Sequence, residues 1–358
     1  MAWSSPRDWT AGEVVTAANM DQYVSDNLTY LYEVRYGNGR RNVLINSHMD
    51  VYQRGTTVAI NNSSTVCNYI ADRWAMNRNA TGSTGSIVAG PTGQTKALRI
   101  QRDSGDSSTA AITVTQALES VDSVRLAGQT CQLKLKLKAG TDFSAATSLV
   151  TVKVTYGTGT DQAPAASWTG TTDALSQTQA ITTTATDYDF NSIAIPSNAT
   201  QVKVSVSFTP VGTASTNDWF ELASAQLTIG KSPAWERLPY AETLRLCQRY
   251  YWQWGPPDGT PNYLATGMSY NAGQHYSIVT WPVQMRKAPS VTFSASNDFT
   301  VQDAGGNIAG TANSAGVITT TNALIGVTVA GGLTTGQASW ITAYQDATNA
   351  AMYVDAEL

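Results

Sequence analysis

Hydrophobic and polar side chains alternate along short stretches of the chain between residues 42 and 235. In residues 130–137, Cys131 and three leucines face one way and polar side chains face the other. The clear alternating stretches are 97–101, 110–116, 130–137, 149–156, 188–195, 201–208 and 219–229. Clusters of Gly, Asn, Ser and Asp separate them, as they usually separate strands. So many short strands predict a jelly-roll β-sandwich over 42–235 rather than alternating βα units.

The same alternation returns in residues 255–358 and predicts a second, smaller β-sandwich there. Its stretches are 263–270, 276–283, 290–295, 323–329, 340–344 and 351–356, with Gly-rich loops at 303–310 and 331–336. Residues 236–254 read as a junction, with a short helix at 241–247. Tyr250, Trp252 and Trp254 then share one face, and we expect them in a core between domains or between subunits. The predicted fold class is therefore mainly β, preceded by one short helix.

Residues 1–41 differ because their apolar side chains recur at helical spacing. Thr16 is placed to cap a helix that begins at Ala17. Written as heptads, the seam of this helix includes Met20, Val24, Asn27 and Leu31. So short a helix is marginal alone. We expect it to trimerise with sister helices, with a buried Asn27 fixing the register. The alternative is a helix that lies on the first β-domain.

Composition narrows the function classes. Of the 358 residues, 42% are hydrophobic and only 13% are charged, and the net charge is −4. Without clustered Lys and Arg, we expect no nucleic-acid partner. No run of apolar residues is long enough to span a bilayer, and we see no signal peptide, so we expect no membrane insertion. The three cysteines, Cys67, Cys131 and Cys247, lack the spacing of a disulfide framework or a zinc site.

Three stretches of the sequence resemble bacteriophage tail-fibre and virion fibre proteins with a carbohydrate-binding-module-like jelly roll. They are WTAGEVVTAANMDQYVSDNLTYL (9–31), NVLINSHMDVYQRGT with YIADRWAM (42–56 and 69–76), and ELASAQLTIGKSPAWERLPYAETLRLCQRYYWQWG with WPVQMRKAPSV (221–255 and 281–291). The resemblance implies a virion protein, made in the host cytoplasm, whose N-terminal segment contacts other virion proteins. One departure is AQLT (225–228), where the family pattern has Gly and an acidic residue beside the Gln-Leu pair.

The sequence contains few of the residue patterns that enzymes use for catalysis. His48 and His275 lie in different predicted domains, and no nucleophile elbow or clustered metal ligands occur. We therefore expect no enzyme, no catalytic residues and no transition-metal site. Acidic pairs of the glycosidase kind need two carboxylates at a set separation, for which the candidates are Asp72, Glu119, Asp218 and Glu221. Among carbohydrate-binding jelly rolls a structural Ca²⁺ is frequent, and by analogy Asp50 and Asp218 are its candidate ligands.

Aromatic side chains are the main indication of binding, since the chain has 10 Trp and 16 Tyr. Sugars stack their CH faces on such rings, although any single ring in a strand is more often part of a core. The candidate glycan-binding residues are Tyr52, Arg54, Asp72 and Trp74 in the first sandwich, and Tyr263, Tyr270 and Tyr276 in loops of the second.

Taken with the resemblance, these features predict a homotrimeric virion protein that attaches the particle to a host surface glycan. Two other functions stay open at this point. One is a structural decoration or collar protein without a ligand, and the other is a surface-polysaccharide depolymerase.

Overall fold

The structure is a computed structural model that describes residues 4, 7–28, 42–60, 62–231, 234–255, 262–343 and 350–358. It is mainly β with a short N-terminal helix, which confirms the predicted fold class. Helix α1 spans Ala17–Met20 and continues as a π-helical turn at Asp21–Ser25. The Thr16 side chain accepts a hydrogen bond from the Asn19 backbone nitrogen at 3.2 Å, so the predicted cap is confirmed. Among the described residues, no helix has the length and apolar character needed to cross a membrane.

Twelve strands build the first β-unit. They are β1 Thr57–Ala59, β2 Ser63–Tyr69, β3 Ala75–Arg78, β4 Ser83–Ala89, β5 Lys96–Arg102, β6 Ile112–Ala117, β7 Thr130–Ala139, β8 Leu149–Gly157, β9 Thr172–Ala180, β10 Thr186–Ala194, β11 Gln201–Phe208 and β12 Trp219–Ile229. They pair into two six-stranded antiparallel sheets, ordered β1-β4-β5-β12-β7-β10 and β2-β3-β6-β11-β8-β9. Helix α2 (Ser120–Ser123) with a 3₁₀ turn at Val124–Leu126 links β6 to β7, and a second 3₁₀ turn at Ala146–Ser148 precedes β8.

The core of this sandwich lies between the two sheets because one face of each strand is apolar. Leu133, Leu135 and Leu137 of β7 are fully buried, and so are Val204 and Val206 of β11 in the opposite sheet. The period of two that predicted these strands therefore also identified their inward faces.

Helix α3 and nine further strands follow in the described residues after 234. They are α3 Tyr240–Gln248, β13 Tyr251–Trp254, β14 Tyr263–Asn271, β15 Gln274–Thr280, β16 Ser290–Phe293, β17 Thr300–Asp303, β18 Gly306–Gly316, β19 Asn322–Val329, β20 Ala338–Thr342 and β21 Met352–Asp355, with a 3₁₀ turn at Ser296–Asp298. Strands β14-β15-β19-β18-β17-β20 close into a barrel, and β13-β21-β16 form a small sheet. The C-terminal unit is thus a six-stranded closed barrel with a three-stranded sheet, where the sequence had predicted a small sandwich.

The Gly-rich stretch 303–310 was predicted as a loop, and that prediction is wrong. It forms the hairpin between β17 and β18, in which Asp303 lies opposite Gly306. Gly306 has a φ of 122°, a backbone conformation that glycine adopts without strain. The glycines here serve a tight turn between paired strands.

The junction contacts both β-units, as its aromatic residues predicted. Cys247 and Tyr250 pack against Ile45 and Val51 of the first unit. Trp254 stacks on Phe299 in the core of the second unit, with ring centroids 6.0 Å apart. All three cysteines are free thiols.

Candidate functional site

The predicted glycan set of the first sandwich is not an open binding surface. Trp74 is fully buried, and its indole Nε1 donates to the Asn46 carbonyl at 3.1 Å. Its ring cannot meet a sugar, so that prediction is wrong. Tyr52 is half-buried beside Lys96, whose ammonium lies 5.5 Å from the ring centroid.

Arg54 and Asp72 form part of an ionic network between the two β-units, which corrects their assignment to glycan binding. Asp72 is 1% exposed, and Gln53 donates to it from its side chain at 2.5 Å. The Arg54 guanidinium lies 3.5 Å from Asp72 and 3.4 Å from Glu357, at the far end of the chain. Burial raises the pKa of Asp72 to about 6.

Arg73 completes this network, which we call the C-terminal clamp (Arg54, Asp72, Arg73, Asp355 and Glu357). The Arg73 guanidinium pairs with Glu357 and donates to the Ala117 carbonyl at 2.6 Å. It also lies 3.6 Å from the Tyr250 ring centroid. Buried charges persist only when they are paired and hydrogen-bonded. The clamp therefore has an architectural role, since it ties the last strand to the first sandwich.

Each of the four candidate glycosidase acids is paired with an arginine. Asp72 faces Arg54. Glu119 accepts two bonds of 2.8 Å from Arg249. Asp218 lies 2.9 Å from Arg102, and Glu221 lies 2.6 Å from Arg99. These carboxylates are committed to ion pairs of the scaffold.

The two candidate calcium ligands do not meet. Asp50 contacts Arg237 at 3.1 Å and Thr95, which precedes β5. Asp218 contacts Arg102, the last residue of β5. The length of that strand, about 20 Å at the usual rise per residue, separates them. Within the described ranges, no three His, Cys, Asp or Glu side chains are grouped to hold a metal ion.

His275 lies inside the barrel in a cluster of serines. Its Nδ1 is 2.6 Å from the Ser339 hydroxyl and its Nε2 is 2.5 Å from the Ser277 hydroxyl. Ser269 contacts Ser339 at 3.0 Å. All four side chains are essentially unexposed, and burial lowers the pKa of His275 to about 4. The cluster satisfies the polar groups of a closed barrel and keeps the imidazole neutral at physiological pH.

The three predicted tyrosines of the C-terminal unit lie on strands rather than in loops. Tyr263 is 60% exposed at the start of β14, where its hydroxyl donates to Gln302 at 3.3 Å. Tyr270 lies seven residues further along the same strand and is 61% exposed. Tyr276 is half-buried on the neighbouring β15. The fold brings Tyr270 and Tyr276 together and leaves Tyr263 at the other end of the strand.

Tyr270 and Tyr276 form an aromatic corner on the outside of the barrel. Their ring centroids are 5.7 Å apart and their planes meet at 72°. Tyr276 pairs with Gly326 of β19 on its other side. A Cβ atom at Gly326 would stand 2.9 Å from Cε1 of Tyr276, so the Tyr276 ring lies across the backbone of β19.

Sequence reasoning missed three residues around this corner. Met268, Ile278 and Trp340 are 47%, 68% and 37% exposed on β14, β15 and β20. Met268 lies directly opposite Tyr276. Such side chains on alternating strands are normally assigned to a core, and only the pairing of these three strands places them outside. Together with Tyr270 and Tyr276 they form what we call the barrel patch.

The predicted helical seam is only partly accessible. Met20 and Val24 are 47% and 37% exposed. Asn27 is instead bonded within the chain, because its side chain exchanges two hydrogen bonds of 2.9 Å with the backbone of Ser4. The role of Asn27 as a register residue between chains is therefore corrected to an intrachain contact. Leu31 lies outside the described residues.

Comparison with known proteins gives distant structural similarities. No protein-family model matches the sequence, and no curated protein matches it. The chain is similar to the enzymatically active domain of tailspike protein 4 of bacteriophage CBA120, at 12% identity and a TM-score of 0.29, over 44% of this chain and 19% of that one. It is also similar to a CBM4 structure, at 14% identity and a TM-score of 0.31, over 51% of this chain and 97% of that one.

A third similar structure is the xylan-binding domain of CBM 22, at 15% identity and a TM-score of 0.30, over 51% of this chain and 99% of that one. The chain thus spans about a fifth of the tailspike chain that it matches. At these identities and scores, the similarities carry no argument about function.

Proposed function

We propose that the protein is a bacteriophage virion protein of the fibre or receptor-binding type, which attaches the particle to a glycan on the host surface. The observation that carries this proposal is the barrel patch, where the exposed Tyr270 and the half-buried Tyr276 lie together on the outside of a closed barrel. Ligand sites on proteins combine apolar and aromatic surface with a few placed polar groups. A sugar is a ligand of matching character, since it has apolar CH faces and a rim of hydroxyls.

The N-terminal segment supplies the virion part of the proposal. Residues 9–31 carry the resemblance to phage structural proteins, and Met20 and Val24 leave apolar surface on a short helix. A helix of this length gains stability from partners. We propose that it trimerises and anchors the chain to other virion proteins after synthesis in the host cytoplasm.

Glycan binding is tested with the full chain on a panel of immobilised bacterial surface polysaccharides and oligosaccharides. We expect binding to at least one glycan, and loss of that binding in the double variant Tyr270→Ala/Tyr276→Ala. Tyr240→Ala is the matched control, since Tyr240 is 59% exposed on helix α3, outside the patch. Failure of the native chain to bind any glycan contradicts the proposal. Release of reducing sugar from a bound polysaccharide would instead identify a depolymerase.

The trimer is tested by light scattering on the full chain, for which we expect three times the chain mass. The variant Val24→Asp places a charge on the exposed helical surface and should shift the mass toward that of one chain. A native chain that stays monomeric at micromolar concentration contradicts the trimer.

A further inference from the structure

The aromatic corner has the geometry of a stacking platform with a wall. The Tyr276 ring lies beside Gly326 of β19, where an added Cβ atom would stand 2.6 Å from the Ser314 hydroxyl and 2.9 Å from the ring. A glycine inside a strand weakens the strand and often marks a close approach of other atoms. Here it leaves room for the half-buried Tyr276 ring beside the β19 backbone. Tyr270 stands nearly perpendicular at 5.7 Å and bounds one side.

Polar side chains next to the platform are uncharged amides and hydroxyls. Gln274 lies two residues from Tyr276 on β15, and its side-chain oxygen accepts from Asn271 at 2.8 Å. Thr328 lies opposite Gln274 on β19, and Ser314 of β18 lies opposite Gly326. These groups both donate and accept hydrogen bonds, as the hydroxyl groups of a sugar require.

Charged side chains are few in the described residues of the barrel and its connecting loops. Residues 262–343 include four charged side chains, Arg286, Lys287, Asp298 and Asp303. Strands β14, β15, β18, β19 and β20 contain none of them. Asp298 and Asp303 are 5% exposed, and Arg286 bonds to the Ala356 carbonyl at 3.0 Å and to Asp161 at 3.2 Å. A carboxylate on a bound sugar would therefore find no cation on the strands that carry the corner.

We infer that the corner formed by Tyr270 and Tyr276 is a subsite for one uncharged hexopyranose unit, stacked by its apolar face on the Tyr276 ring. This inference rests on the proposed function and adds the class of ligand. Uronic acids and sialic acids gain no charged partner on these strands, so we expect the corner to show no preference for them.

The test compares neutral, uronic-acid and sialylated oligosaccharides on one array with the full chain. We expect binding to neutral hexose oligosaccharides that is unchanged between about 0.1 M and about 0.5 M NaCl, because screening acts on charges. Tyr276→Ala should weaken it about tenfold, the upper end for a lost aromatic contact. Tyr276→Phe keeps the ring and should retain most of the affinity.

Two more variants separate stacking from other roles. Gly326→Ala should weaken binding without touching the sugar, because its Cβ crowds both the Tyr276 ring and the neighbouring Ser314 hydroxyl. Tyr240→Ala should leave the affinity unchanged. The inference is overturned if the chain binds only acidic glycans, if binding is lost in high salt, or if Tyr276→Ala leaves binding unchanged. Any of these results is still compatible with the proposed attachment to a glycan. No binding to any glycan overturns both. A change of sedimentation coefficient in Tyr276→Ala would assign the corner to a contact between chains and also overturn the inference.

Discussion

The substitution Glu357→Gln tests whether the C-terminal clamp couples the two β-units. The Glu357 side chain is 6% exposed and pairs with Arg73, which is 2% exposed. It also lies 3.4 Å from Arg54. Glutamine keeps the shape and one acceptor oxygen but removes the charge, so two buried guanidinium groups lose their shared partner.

The expected cost follows from this burial. Removal of one partner from a buried ion pair destabilises a protein by about 3–5 kcal/mol, because the other charge stays buried without compensation. Asp72 and Asp355 still face Arg54, so we expect about 3 kcal/mol, the lower end of that range. At about 2 °C per kcal/mol for a chain larger than a small domain, Tm should fall by about 6 °C.

The assay is differential scanning calorimetry with urea unfolding as a second measure. The control is Arg245→Gln, which breaks the exposed pair between Arg245 and Glu242 on helix α3 and should leave the unfolding free energy unchanged. If Glu357→Gln melts like this control, the clamp does not couple the two units and the reasoning is refuted.

Three further substitutions have expected effects on stability. His275→Gln should make the stability of the protein less sensitive to acid. The pKa of His275 in the folded state is lowered to about 4, so the unfolded state takes up the proton first, and about 2 kcal/mol of the native chain's unfolding free energy is lost by pH 5. Thermal melts of variant and native chain at pH 7 and pH 5 measure this loss. Asp218→Asn leaves the unexposed Arg102 without its buried partner and should cost about 3 kcal/mol in urea unfolding. Gly140→Ala places a Cβ 2.0 Å from the Asn217 carbonyl and should cost about 1–3 kcal/mol by calorimetry.

Each of these has its own comparison or contradicting result. Asp72 acts in the opposite sense to His275, because its folded pKa is raised to about 6 and the stability it contributes at low pH is lost as the pH rises through that value. The pH test is therefore the difference between variant and native chain, and equal pH slopes in the two would contradict it. Gly316→Ala is the control for Gly140→Ala, since a Cβ there meets nothing within 4 Å. For Asp218→Asn, an unchanged urea midpoint would count against a structural role of the Arg102 pair.

Much of the first sandwich was predictable because apolar side chains alternate with polar ones along many of its strands. The predicted bounds of β11 and β12 coincide with the observed Gln201–Phe208 and Trp219–Ile229. Strand β9 was missed, because Thr172–Ala180 is largely exposed at a sheet edge and carries no apolar period. The barrel was missed for a different reason. Its closure depends on the pairing of β17 with β20, which are far apart in the sequence.

The candidate site could be predicted only in part for the same reason, because its contacts join residues that are distant in the sequence or lie on different strands. Arg54 looked like a surface residue because its partner Glu357 lies about 300 positions away, and Asp72 is buried beside Arg54 in the same network. Trp74 stands in a short segment where strand alternation does not tell the two faces apart. Tyr270 and Tyr276 were singled out as aromatic residues, but their contact depends on the β14–β15 register, which periodicity does not give.

The most direct test of the proposed attachment function is a crystal structure of the full chain with an oligosaccharide that it binds. We predict one hexose ring parallel to Tyr276, with its edge against Tyr270 and its hydroxyls near Gln274 and Thr328. A sugar bound only on the first sandwich, with the aromatic corner occupied by another copy of the chain, would contradict the account.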